Sequence, residues 1–314
     1  MQAMRFHEFG TPDVLRLEDV ALPEPGPGEV RIRVAGTSFN SVDGTIRAGS
    51  MQGPIPVVLP HIPGLDVAGT VDAVGEGVEA VAVGDRVIGF LPMVGDGAAA
   101  EFVIAPAGVL VAAPMSLPLA DAAALPVVGL TAWQALFDQG QLVAGQRVLI
   151  NGAGGAVGGY AVQLAHRAGA HVIATAGPRS AARVRAAGAV EVIDHTSTVV
   201  ASAVTGPVDL VVNLAPVAPD DLAGLVGLIE DGGVLVNTTV WMPAPGDDAR
   251  GVRGVDLFVR SDAGQLAQLV TLVDAGELRI DVARRVPLAE LAALHTDAAA
   301  GGLSGKAVVL VGEG

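Results

Sequence analysis

Apolar positions along this chain change rhythm once, and the change divides it. From Arg5 to about Ala113 they come in short Val-rich runs broken by Gly or Pro, and Glu29-Val-Arg-Ile-Arg-Val-Ala35 alternates strictly. Period-two alternation between turn residues predicts antiparallel β structure with one buried face. From Asp121 onward, apolar runs alternate with Ala-rich stretches that stop near a Gly, the pattern of βαβ units on a parallel sheet. The shift falls around Pro114 to Pro118. It predicts a β-rich domain over residues 1–118 and a doubly wound α/β domain over 119–276, with 277–314 folding back to complete the first. The cleft between the two is then the expected active site.

Within the second region the units are well punctuated. Strands are predicted at Arg147–Asn151, His171–Thr175, Val190–Ile193, Val208–Leu214 and Val234–Thr238. Helices are predicted at Gly155–Ala168, stopped by Gly169, at Ser180–Ala187, capped by Gly188, and near Gly264–Ala275. A strand at Asp281–Val286, a helix at Leu288–Ala299 and a strand at Ala307–Val311 close the chain.

The first of these strands runs into Gly152-Ala-Gly-Gly-Ala-Val-Gly158 and a helix follows at once. That context turns a weak Gly motif into a dinucleotide-binding expectation. Gly152 and Gly154 allow the tight turn and close approach, and the amides of Gly155, Ala156 and Val157 at the helix N-terminus are the expected pyrophosphate donors. The spacing departs from G-x-G-x-x-G, and Gly152, Gly155, Gly158 is the more regular register. About 20 residues past the turn, a carboxylate selects NAD and a basic residue accommodates the 2′-phosphate of NADP. Here the next strand ends Ala174-Thr-Ala-Gly177 with no carboxylate, and Arg179 follows. NADPH is the expected cofactor, with Arg179 at its 2′-phosphate and Ala176 at the strand end beside it.

Composition removes several alternatives. Lys plus Arg number 18 against 33 Asp plus Glu, a formal charge of −15, which repels nucleic acid and anionic lipid. Apolar residues make up 51% of the chain, yet the longest apolar stretch, Ala122–Phe137, is interrupted and falls short of the roughly 20 residues a spanning helix needs. Met1–Gly10 carries Arg5, His7 and Glu8 where a signal peptide needs an apolar core. There is no Cys, so disulfides, thiolate zinc sites and a Cys nucleophile are excluded together. A cytoplasmic protein that does not enter membranes is expected by default.

With these residues placed, the chain resembles the medium-chain dehydrogenase/reductase superfamily, and within it the zinc-free quinone oxidoreductases, over essentially its whole length. The resemblance lies in the order of Phe9-Gly10, Phe39-Asn-Ser-Val-Asp43, Pro63-Gly-Leu-Asp-Val-Ala-Gly69, Val83-Gly-Asp-Arg-Val-Ile-Gly89, Gly129-Leu-Thr-Ala-Trp133, the Gly turn, Ala189-Val-Glu-Val-Ile-Asp194 and Gly305-Lys306. It implies a GroES-like β-rich N-terminal domain beside a Rossmann domain, and hydride transfer from NADPH to a quinone or an α,β-unsaturated carbonyl. The zinc alcohol dehydrogenase branch would carry Cys at Asn40, and His then Glu at Leu65 and Asp66, so its metal site is not expected. By position, the resemblance puts Asn40 and Thr131 near the nicotinamide, and Thr175, Arg179 and His195 around the 2′-phosphate. Leu214, Thr239 and Val240 line the nicotinamide side. Asn40 or backbone N–H groups would bond the developing oxyanion while water supplies the proton. Asp43 is either an acid or, with more weight, a buried residue ordering the Asn40 turn. A homodimer is implied through a strand near Val255–Val259 that extends a neighbour's sheet. Two other readings stay open: an enoyl reductase of a biosynthetic pathway, and a non-catalytic NADPH-binding sensor or structural protein.

Overall fold

The computed structural model describes residues 1–239 and 242–312, and the chain divides into two compact units. One comprises Met1–Val127 with Ser261–Gly314, the other Val128–Arg260. The second junction lies before the helix Ala263–Asp274, which sequence alone assigns to the α/β domain. That helix belongs with the β-rich unit because it packs on the strand Leu110–Ala112, and its Asp274 carboxylate accepts the Met115 and Ser116 N–H at 2.9 and 3.0 Å.

In the β-rich unit, strand Glu29–Ser38 is the hub. It pairs antiparallel with Asp66–Val74, with Phe102–Pro106 and with the C-terminal strand Lys306–Leu310, so the tail does close this sheet. Val30, Ile32 and Val34 point inward at 0%, 0% and 2% exposure, as strict alternation requires. Arg86–Phe90 and Leu110–Ala112 continue the sheet antiparallel. Val282–Pro287 is the exception in this sheet and runs parallel to Lys306–Leu310. The helix Leu291–Ala299 between them returns the chain to the same end of the sheet, which only a parallel pair permits. Elements without a counterpart among those expected include the strand Gln2–Arg5, which pairs with Arg16–Asp19, and the helices Ser41–Arg47, Val200–Ala203 and Pro219–Val226.

The α/β unit holds a six-stranded, all-parallel sheet. Its order is Glu191–Ile193, His171–Thr175, Arg147–Asn151, Val208–Asn213, Ile229–Asn237, Arg253–Asp256. Numbered along the unit this is 3-2-1-4-5-6, a doubly wound sheet whose winding reverses between Arg147–Asn151 and Val208–Asn213. The sixth strand is placed near the one expected to extend a partner's sheet, and it lies at the edge of this chain's own sheet.

The apolar stretch judged too short to span a bilayer is longer as a helix than its sequence suggests. Leu119–Gln139 winds continuously as 3₁₀, α and π turns, 21 residues, because Pro126 falls at the first α position, where its missing N–H costs nothing. By length and composition it could cross a membrane, but 83% of its apolar window is buried inside the protein, as in a core helix.

Candidate active site

In an open parallel sheet, ligands bind beyond the carboxyl ends of the strands where the winding reverses. Here that place is the Gly turn after Asn151. Gly152 has φ +90°, which only Gly adopts without strain, and an added Cβ there would meet Ala215. A Cβ on Gly154 would lie 2.4 Å from the Ser180 hydroxyl, and one on Gly158 2.4 Å from the Ala153 backbone. Backbone therefore requires Gly at 152 and 158, while at 154 the conflict is with the Ser180 side chain. Gly155, preferred in the regular register, would meet only ordinary contact at 3.4 Å. Its amide is also not available as expected, since it donates to the Gly152 carbonyl at 3.1 Å. The helix Ala156–Arg167 starts immediately after it, so the Ala156 and Val157 amides are the donors left by the missing preceding turn.

The neighbouring strand end corrects two further expectations. Thr175 is 1% exposed, and its hydroxyl accepts the Gly152 N–H and donates to Asn151 Oδ1, both at 2.8 Å. Both roles of the hydroxyl are spent inside the fold, so Thr175 buttresses the Gly turn and does not face a phosphate. Ala176 is equally buried, with its N–H on the Ile193 carbonyl. Arg179 is exposed and makes no hydrogen bond or ion pair among the described residues. His195 is exposed too, with Nε2 3.6 Å from where a Gly177 side chain would begin, so imidazole and guanidinium flank the same loop. Arg183, which sequence reasoning missed, donates from Nη2 to the Gly154 carbonyl at 2.8 Å and ties the following helix to the turn.

On the other side of the reversal, the Leu214 N–H donates to the Asn151 carbonyl at 2.9 Å, which holds Leu214 beside Gly152. The Thr239 hydroxyl donates to Asn237 Oδ1 at 2.7 Å. Val240 lies outside the described residues. Thr131 sits in the helix Pro126–Trp133 at 8% exposure.

In the β-rich unit, Asn40 caps the helix Ser41–Arg47, and Asp43 at its third position accepts the Asn40 N–H at 2.8 Å. The Asn40 side chain does not stand free as an oxyanion donor. Its Oδ1 accepts from Lys306 Nζ at 2.5 Å and its Nδ2 donates to Asp66 Oδ2 at 2.8 Å, leaving one N–H unassigned. Asp66, wholly buried, also accepts the Ser38 hydroxyl and, at 2.7 Å, the Val127 N–H, while Lys306 Nζ stands 3.3 Å from it. Burial pushes the Lys306 ammonium below its ordinary range, opposed by Asp66 and Asp43.

Asp43 is an anchor, 3% exposed, that also accepts the Gly64 N–H at 3.3 Å, the arrangement of a buried residue ordering the Asn40 turn. Burial raises its pKa to about 6 from 3.8. A raised folded-state pKa makes the native state hold the proton more tightly, so stability is greatest below pH 3.8 and is lost as pH rises through 6. At roughly 1.4 kcal/mol per unit, the loss is about 3 kcal/mol. Relative to Asp43→Asn, the wild type is expected to lose that much between pH 4 and 7 in urea unfolding. A differential below about 1 kcal/mol would contradict the shift.

Residues 26–115 match the family described as alcohol dehydrogenase GroES-like domain, and residues 187–309 the family described as zinc-binding dehydrogenase. With the 3-2-1-4-5-6 sheet, these place the chain in the medium-chain dehydrogenase/reductase superfamily, oxidoreductases that use a nicotinamide cofactor. Over 327 aligned positions it is 34% identical to the quinone oxidoreductase of Lama guanicoe, covering 99% of this chain and 98% of that protein. It is 42% identical over 202 residues to the chloroplast envelope quinone oxidoreductase homolog of Arabidopsis thaliana, where the match spans 62% of this chain and 61% of the relative. The quinone oxidoreductase structure from Coxiella burnetii superposes with a TM-score of 0.91 at 31% identity, over 99% of both chains. The chain belongs to the quinone oxidoreductase group of that superfamily.

Zinc, which the second family's description implies, does not fit these residues. The Asp66 carboxylate already takes an ammonium and three neutral donors, and its neighbour is Leu65. No group of three His, Cys, Asp or Glu side chains is placed to hold a metal among the described residues. The nicotinamide cofactor does fit: the Gly turn runs straight into the helix Ala156–Arg167, whose N-terminal amides are the group a pyrophosphate needs.

Proposed function

We propose that the chain is an NADPH-dependent, zinc-independent reductase that passes hydride to a quinone or an α,β-unsaturated carbonyl. One observation carries the cofactor choice. The loop after His171–Thr175 has no carboxylate before Glu191 and offers an exposed, unpartnered Arg179 with His195 beside Gly177. A ribose 2′-phosphate supplies the charge that such a guanidinium lacks. The names of the relatives support the acceptor class.

When bound, the nicotinamide supplies the hydride. This chain's own residues bind and orient. The Ala156 and Val157 amides and the positive end of their helix meet the pyrophosphate. Arg179 and His195 hold the 2′-phosphate, while Leu214, Thr239 and Thr131 border the nicotinamide. The unassigned Nδ2 hydrogen of Asn40 is the donor available to a developing oxyanion. With Asp43 committed to two backbone amides, water delivers the proton.

Side-by-side fluorescence titrations of NADPH and NADH, followed by cofactor oxidation with 1,4-benzoquinones and simple enones, test this reading. Tighter NADPH binding and turnover with at least one acceptor class are expected. Equal affinities would remove the Arg179 assignment, and binding without turnover would favour the non-catalytic reading.

A further inference from the structure

Five of the six parallel strands end on a polar side chain, and these side chains touch one another in sequence. Thr175, Asn151, Asn213, Asn237 and Asp256 are each the last residue of their strand. The strand register aligns Asn213 with both Asn151 and Asn237, and Asn237 with Asp256. The Gly152 N–H donates to Thr175 Oγ1 and the Thr175 hydroxyl donates to Asn151 Oδ1. Asn151 Nδ2 then donates to Asn213 Oδ1 at 2.8 Å, Asn213 Nδ2 to Asn237 Oδ1 at 2.9 Å, and Asn237 Nδ2 to Asp256 Oδ1 at 3.2 Å. Thr175, Asn151 and Asn213 each accept from one side and donate to the other, so the donors run in a single direction from the Gly turn to Asn237. The two Nδ2 hydrogens of Asn237 are shared between Asp256 Oδ1 and, more closely, the Thr239 and Met242 carbonyls.

Thr175, Asn151, Asn213 and Asn237 are 4% exposed or less, in a sheet whose other interior positions are aliphatic. Buried amides without partners are costly, so each link holds its neighbours in one rotamer, and aligned amides polarise one another. The two ends are the parts of the fold that a dinucleotide needs. At one is the amide of Gly152. At the other, Asn237 receives the Thr239 N–H and hydroxyl on Oδ1 and donates to the Thr239 and Met242 carbonyls, holding those two residues.

We propose that this strand-end ladder is a positioning device that couples the Gly152 turn to Thr239 and Met242, with Asn213 and Thr175 as positioning residues that touch no cofactor. It rests on the nicotinamide-cofactor reading for its purpose but not for its existence. Thr175 and Asn237 are three strands apart, roughly 14 Å at 4.8 Å per strand, too far for direct contact.

The test perturbs one end and reads the other. Amide hydrogen exchange of the cofactor-free protein is compared for wild type, Thr175→Val and Thr175→Ser, with the Thr239 amide as the reporter. The Val variant keeps the shape and removes the hydroxyl, and the Ser variant restores it. Thr175→Val is expected to speed Thr239 exchange at least fivefold and Thr175→Ser by less than twofold. Asn213→Leu is expected to do the same as Thr175→Val, with no further increase when the two are combined. A second readout is the Kd of whichever nicotinamide cofactor the wild type binds more tightly. It is expected to rise about tenfold in both single variants and to recover with Ser. Acceleration confined to residues next to the substitution, with Thr239 unchanged, would overturn the coupling. A lowered melting temperature with an unchanged Kd would reduce the ladder to a stabilising feature. If wild type bound neither cofactor, the functional reading would fail while the exchange result still decided the coupling.

Discussion

Arg179→Ala is expected to weaken NADPH binding by about 10- to 100-fold and leave NADH within about twofold. A hydrogen bond to a charged partner contributes roughly 1.5–3 kcal/mol, and each 1.4 kcal/mol is a factor of ten in Kd. The guanidinium starts exposed and unpartnered, so removing it disturbs no internal contact, and the effect belongs to the ligand. Arg183 provides the contrast. It holds the Gly154 carbonyl, so Arg183→Ala acts on the turn itself and is expected to weaken both cofactors alike. His195→Ala is expected to have a smaller effect than Arg179→Ala, because an imidazole lacks the forked donors that a guanidinium presents to a phosphate. On this reading, raising salt is expected to narrow the difference between NADPH and NADH affinity, since an exposed charge pair is screened. Parallel loss of both cofactors in Arg179→Ala would show that this residue acts through the loop, and the preference would need another source.

The contrast between Arg179 and Thr175 shows what sequence could and could not convey. The strands of the α/β unit were legible because a parallel sheet is covered on both faces, and its strands therefore read as unbroken Val, Ile and Leu. The Gly turn was legible because close approach leaves no substitute for Gly at 152 and 158. A polar residue at a strand end carries no such signature. Thr175 and Asn151 would look the same facing a ligand as facing the next strand, and only the register, which aligns Asn151 with Asn213, decides. One signal was present: Asn closes three apolar strands in turn, at 151, 213 and 237. The helix Ser41–Arg47 was also announced, by Asn40 with an acid three residues on, but the Val-rich rhythm around it favoured β structure. The second unit boundary was hidden because the helix Ala263–Asp274 follows the βαβ pattern, and the contacts of Asp274 with Met115 and Ser116 join residues far apart in sequence.

Lys306→Met is expected to cost about 3–5 kcal/mol of stability, the range for removing one partner of a buried ion pair. Asp66 and Lys306 are 0% and 2% exposed, so neither charge can turn to water when the other is lost. The substitution also strips a donor from Asn40 Oδ1 and the Phe39 carbonyl, which bond Nζ at 2.5 and 3.1 Å. Met keeps most of the volume, so a cavity contributes little and the loss reports electrostatics. Adding Asp66→Asn removes the stranded carboxylate, and the double variant is expected to recover at least half of the loss. Urea unfolding measures both, and a single variant within 1 kcal/mol of wild type would mean that the three neutral donors on Asp66 suffice to hold its charge. The composition supplies an independent check, because Lys306 is the only lysine in the chain. An amine-directed reagent is expected to modify native protein at the N-terminus alone and to reach Lys306 only as this unit opens. Labelling at the rate of a free lysine in native protein would show that the Asp66–Lys306–Asn40 cluster opens without unfolding. In that case Asn40 would be free to turn both of its N–H bonds outward, and its oxyanion role would regain the donor that the closed arrangement withholds.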